Sequence, residues 1–154
     1  MLIKTHLMIT LFFVLFLIDS VKQEYKFVFV LVALIATYMP DIDTKFSTFG
    51  KKKPLRIIQF FIKHRGIIHS FTFLILITLI FILFLPVVSL GFFLGYSIHL
   101  FTDSLTLTGI RPFYPSKKRV SGNIRTGGKT EILIFVIFLL TDLWLLIWKI
   151  SSIF

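Results

Sequence analysis

Between residues 66 and 102 the chain carries no Asp, Glu, Lys or Arg. That run is nearly twice the about 20 apolar residues one membrane-crossing helix needs. It reads as two helices, near 67–85 and 90–106, with Pro86 and Gly91 marking the break. A third apolar run, 132–148, is interrupted only by Asp142. Two shorter runs, 7–18 and 27–39, become a hairpin with their flanks, turning at the polar segment 19–26. Composition agrees: 56% of the residues are hydrophobic and 16% charged, against about 45–50% and about 25% in soluble domains. A chain of 154 residues cannot bury that much apolar surface in a water-soluble core. Disorder is excluded, and a soluble globular enzyme nearly so. The expectation is one all-α membrane domain, 1–154, an integral bundle of about five helices with four or five spans. The first segment has the outline of a signal peptide, with Lys4 ahead of the apolar stretch. No small-x-small cleavage site follows, so it is kept as a helix. Without cysteine, disulfides and thiolate metal sites are excluded.

The 17 Lys and Arg against 7 Asp and Glu leave a net charge of +10. In a soluble chain this would point to nucleic acid. Here the bases concentrate in two loops, 40–66 and 107–130. The first has Lys45, Lys51, Lys52, Lys53, Arg56, Lys63 and Arg65, the second Arg111, Lys117, Lys118, Arg119, Arg125 and Lys129. The helical hairpin between them puts both on one side, and the positive-inside rule makes that side cytoplasmic. The expected setting is therefore the cytoplasmic (inner) membrane, multi-pass, with the N-terminus inside. The expected partners are the lipid bilayer and its anionic headgroups, with no nucleic acid.

On this topology the polar chemistry collects at one face. All four histidines, His6, His64, His69 and His99, fall at helix ends on the cytoplasmic side. So do four of the seven acids, Asp41, Asp43, Asp103 and Glu131. Helix ends attract polar residues anyway, so the coincidence of the set carries the weight. His99 and Asp103 are spaced i, i+4, which puts them on one helix face about 5–6 Å apart at Cβ. That suits shared coordination of a divalent metal, or a plain helix-end ion pair. Gly91 and Gly95 continue the same face and permit close helix packing. Asp41 and Asp43 follow the helix-stopping Pro40; they converge on one cation or sit solvated among lysines. His69 and Ser70 open an apolar helix, where burying them needs a reason. Arg65 beside them can bind phosphate through its planar fork or simply snorkel to the interface.

The segment 126–131 (Thr-Gly-Gly-Lys-Thr-Glu) invites a nucleotide reading. It fails on spacing, because the phosphate-loop pattern needs glycine at Asn123. Gly127, Gly128 and Lys129 remain an anion clamp at a helix entry. Asp142, roughly 16 Å into the last helix, is expected to make a structural hydrogen bond.

Three ordered motifs carry a resemblance: Pro40-Asp41-Ile42-Asp43 with Ser47 and Gly50; His64-Arg65-Gly66 through His69-Ser70; and Gly95-Tyr96 through His99, Asp103, Leu105, Thr106, Gly109 and Pro115. In this order and spacing the chain resembles the YdjM-like membrane-bound metal-dependent hydrolases over about residues 5–135. Thr5-His6 and the Gly-Lys-xx-Glu-like entry to the last helix also look similar. That family is placed near the zinc-dependent phospholipase C superfamily of all-α phosphoesterases. The resemblance implies that Asp41, Asp43, His64, His69, His99 and Asp103, with the early His6, hold one to three divalent metals. Zinc is the expected ion, with manganese the alternative. It departs from some relatives at Thr44, where they carry histidine.

The reading is a membrane-embedded metal-dependent hydrolase of phosphate esters, with a lipid or lipid-linked substrate suggested by the site's depth. Asp43 or Glu131 would act as general base. Arg65, Gly127, Gly128 and Lys129 would hold the phosphate. The alternative is a non-catalytic, metal-stabilised membrane scaffold or partner-binding protein. A metal permease ranks last, because apart from Asp142 the spans lack midplane polar residues.

Overall fold

The structure, a computed structural model, describes residues 1–43 and 67–152; the side chains of Ile42 and Asp43 lie outside that description. Five α-helices are present among the described residues: α1 (Ile3–Leu17), α2 (Lys26–Tyr38), α3 (Phe71–Phe84), α4 (Pro86–Ser104) and α5 (Lys129–Ser151). Short 3-10 turns at Ile18–Ser20 and Gln23–Tyr25 join α1 to α2, and another, Met39–Asp43, follows α2. No β-strand occurs among the described residues, only two isolated bridges within the segment 105–128. The chain is all-α.

Two helical stretches are long and apolar enough to cross a membrane, Ile3–Ser20 and Lys129–Ser151. The apolar α3 has 14 residues and α2 has 13. At 1.5 Å per residue each reaches about 20 Å, short of the about 30 Å hydrocarbon core. The break in the long uncharged run falls at Leu85, and Pro86 takes the first turn of α4, where its missing N–H costs nothing. Gly91 therefore lies inside a helix rather than in a turn.

Its role there is contact. A Cβ on Gly91 would lie 2.8 Å from the Phe29 carbonyl oxygen, and one on Gly95 only 1.9 Å from that of Ala33. The two glycines thus let α4 lie backbone to backbone against α2. Helix α4 is central, packing on α1, α2 and α3, while α5 packs on α1. One buried cluster joins Ala36, Leu74, Phe92, Tyr96, Leu100 and Ile110; a second joins Val14, Phe29 and Ala33. Outward faces of α3 and α5 stay apolar, with Leu83, Phe84, Trp144 and Ile147 exposed.

The segment after α4 is tied back onto the bundle. Ile110 and Val120 exchange backbone hydrogen bonds of 2.9 Å each, and Gly109 turns the chain at φ +53. The Phe71 N–H donates to the Pro112 carbonyl at 2.8 Å, anchoring this segment at the start of α3. It brings the end of α4, the start of α3 and the entry to α5 to one end of the bundle.

Candidate metal centre

Each histidine of the described residues reaches this end from a different part of the chain. His6 sits in the first turns of α1, His99 near the end of α4, and His69 just before α3. Ser70 caps α3, its hydroxyl accepting from the Phe73 N–H at 3.2 Å. The Tyr96 hydroxyl donates to the Ile68 carbonyl at 2.7 Å, which fixes the residue beside His69. All three imidazoles are fully buried, and Asp103 is 2% exposed.

The His6 and His99 rings are stacked, with centroids 4.1 Å apart and an interplanar angle of 11°. His69 meets His99 edge-on at 5.7 Å. Asp103 Oδ1 lies 3.4 Å from His6 Nε2, and its Oδ2 lies 3.9 Å from His99 Nε2. Asp41 Oδ1 lies 3.8 Å from His99 Nε2 and 4.0 Å from His69 Nε2. Two groups of three potential ligands result, His6, His99 and Asp103, and Asp41, His69 and His99.

The other ring nitrogens decide the protonation. His99 Nδ1 lies 2.8 Å from the Thr37 carbonyl, which can only accept, so Nδ1 carries the proton. His6 Nδ1 lies 2.6 Å from Thr102 Oγ1. The Thr102 hydroxyl has one proton and sits 2.7 Å and 3.0 Å from the carbonyls of Ile98 and His99. Every group is satisfied when His6 Nδ1 donates to Thr102 and Thr102 donates to the carbonyls. Both neutral rings then turn an Nε2 lone pair inward, and neither Nε2 has a hydrogen-bond partner among the described residues. Charging both stacked rings instead would set two cations face to face. Burial pushes the Asp41 carboxyl up from its ordinary range.

Lone pairs aimed at carboxylates repel unless a cation lies between them. A tetrahedral zinc shell with bonds of about 2.0–2.1 Å places its ligand atoms ~3.4 Å apart. The 3.4–4.0 Å separations here fit such an ion after small side-chain movements. His99 offers only Nε2, so the two groups share that ligand atom.

The chain matches the family of YdjM inner membrane proteins over residues 1–153. It belongs to that family. It is therefore a membrane protein of the YdjM type, as the three sequence motifs indicate. It is also similar to the "Uncharacterized protein YvsG" of Bacillus subtilis (strain 168), 30% identical over 106 residues. That match takes in 65% of this chain and 66% of the relative, just under two thirds of the relative's length. No solved structure matches.

In this YdjM-family protein the other residues singled out by sequence fare differently. His64, Arg65 and the Asp43 side chain lie outside the described residues. Glu131 is buried at the entry to α5. One oxygen accepts from the Leu2 N–H at 2.5 Å and the Thr5 hydroxyl at 2.9 Å, the other from the Gly127 N–H at 2.6 Å. Its carboxylate holds the start of α1 to the turn before α5. The Met1 amine, next in line, pairs with Asp103 Oδ1. The expected Gly127–Gly128 clamp has its amides engaged, Gly127 on Glu131 and Gly128 on the Arg125 carbonyl at 2.9 Å. Gly127 is there for its φ of +74, which turns the chain into α5. Lys129 is exposed. For Asp142 the expected structural hydrogen bond is absent: it is 2% exposed and neither oxygen has a partner among the described residues. Sequence reasoning missed Thr37, Thr102 and Tyr96, whose task is orientation. The available signal was buried threonine on apolar helices beside histidine, as in Thr5-His6 and His99-xx-Thr102.

Proposed function

We propose that this membrane protein is a metal-dependent hydrolase of phosphate esters, lipid or lipid-linked among them. The observation that carries the metal is the pair of buried, unpartnered Nε2 atoms of His6 and His99, turned toward the Asp103 and Asp41 carboxylates. His6, His69, His99, Asp41 and Asp103 would hold the ion, with His64 and Asp43 as further ligands from the loop 40–66. Zinc suits the nitrogen and oxygen donors, and manganese is the alternative. Such an ion supplies a Lewis acid for a phosphoryl oxygen and lowers the pKa of a water. The chain's own part is positional. Thr37 and Thr102 fix the imidazole tautomers, and Tyr96 steadies the segment before α3. Arg65 and Lys129 would bind phosphate, and Asp43 would take the proton. Glu131, its oxygens engaged, serves by fastening α1 to α5 beside the site. We further propose that α2, α3 and α4 complete a bundle of four or five spans. The loops 40–66 and 107–130, and the N-terminus, would then face the cytoplasm.

One observation favours a second reading. The three imidazoles have no solvent exposure, as in a closed structural shell that stitches short helices together. The deciding measurement begins with metal content of the detergent-purified protein, wild type beside Asp103→Ala. Stoichiometric metal that the variant loses supports the site, and wild type that takes up no added metal overturns it. Turnover of a phosphate ester by metal-loaded wild type, tried both on soluble 4-nitrophenyl phosphate and on an acyl ester such as lysophosphatidic acid, then selects enzyme. Its absence, with a large fall in Tm on chelation, selects scaffold.

A further inference from the structure

Beside the metal centre runs a cavity of about 620 Å³ between α1, α4 and α5. Its sides include Ile9 and Phe13 of α1, Leu94 and Phe101 of α4, and Ile134 and Phe138 of α5. Among all its lining residues only Ser97 and Thr102 have polar side chains. Each hydroxyl has its one proton committed: Ser97 donates to the Leu94 carbonyl at 3.0 Å and Thr102 to those of Ile98 and His99. An occupant therefore finds no free side-chain donor along these walls and is favoured when it is itself apolar.

One end of this groove abuts the metal centre, whose ligands stand one residue behind its wall. Thr102 lines it and bonds His6 Nδ1; Met1 lines it and its amine bonds Asp103. From that end the groove runs inward along three helices. Phe13 lies seven residues beyond His6, and Phe138 seven beyond Glu131, each about 10 Å at 1.5 Å per residue. That is most of one leaflet's half of the about 30 Å hydrocarbon core. An apolar groove most of one leaflet deep, with cation ligands beside its mouth, matches an amphiphile with an anionic head and a single tail.

We propose that the groove between α1, α4 and α5 binds the acyl chain of a phosphate-headed lipid whose phosphate lies at the His6–His99–Asp103 cluster. This deepens the hydrolase reading and rests on it for the headgroup. The aliphatic tail is excluded from water in the groove, and selection against soluble phosphates follows from that burial.

The test uses the full chain, metal-loaded, in phosphatidylcholine nanodiscs containing a trace of lysophosphatidic acid with a photoreactive diazirine at the acyl end. Peptide mapping should place the label on Phe13, Leu94, Phe101 and Phe138. Dodecyl phosphate should displace it and dodecanol should not. Ser97→Trp, which fills the groove, should lose the label while keeping its metal. Leu143→Trp, on an exposed position of α5, should keep both. Label spread evenly over outward residues such as Ile80 and Leu143, or displaced equally by dodecanol, overturns the proposal in favour of bulk lipid. If Ser97→Trp fails to fold, the wild-type competition decides alone. Metal-free protein that still takes the label in the groove sinks the hydrolase reading and leaves the acyl groove standing. Metal-loaded protein that takes no label there does the reverse.

Discussion

Two buried polar regions of this molecule obey opposite rules. At one end of the bundle three imidazoles and two carboxylates gather, and local acceptors hold the outer nitrogens of His6 and His99. Midway along α5, Asp142 is equally buried and has no partner for either oxygen among the described residues. The cluster is organised down to the tautomer, so its inward lone pairs can serve as a ligand set. Asp142 is a lone polar group whose burial costs stability unless it is neutral. A buried polar residue is thus informative through what holds its far side.

The comparison can be broken in several ways, beginning with its strongest claim. His99→Ala removes the ligand atom common to both groups, and metal analysis of the purified variant should find none bound. Gly95→Ala tests the packing that carries His99 into place. Its Cβ would lie 1.9 Å from the Ala33 carbonyl oxygen, so overpacking should cost about 3 kcal/mol, read as a lower Tm. Thr102→Val leaves the ligands intact and deprives His6 Nδ1 of its acceptor. Metal affinity should fall about 10–100-fold, the usual loss when such an outer partner goes. An unchanged affinity would undo the tautomer argument. Asp142→Leu should leave metal content unchanged and raise stability by about 1–3 kcal/mol, because it replaces an unpartnered buried carboxyl. A fall in Tm there would mean that Asp142 has a partner in the membrane. Smallest of all, Lys149→Gln removes the pair with the exposed Asp19 and should leave Tm within error.

Much of the site was legible because helical periodicity is local. Residues i and i+4 share a face whatever surrounds them, so Gly91, Gly95, His99 and Asp103 declared themselves as one stripe. Pro40 and Pro86 marked helix boundaries by the N–H they lack. Glu131 shows where that locality ends. Its type suggests a base, yet its partners, Leu2, Thr5 and Gly127, come from both ends of the chain. The Gly127–Gly128 pair was likewise read as an anion clamp, when a positive φ at Gly127 is what the turn requires.

By itself the sequence determined that this chain is all-α, that it belongs in a membrane, and that His6, His69 and His99 lie at helix ends. Each of those follows from composition or from spacing within one element. Only the tertiary structure decided that His6 stacks on His99, that Thr37 and Thr102 set their tautomers, and that Asp142 has no partner among the described residues. These depend on which helix packs against which. The α2–α4 contact is set by two glycines that admit a neighbouring backbone, and the α1–α5 contact by a carboxylate that ties two distant turns. Neither interaction leaves a periodic trace in the chain.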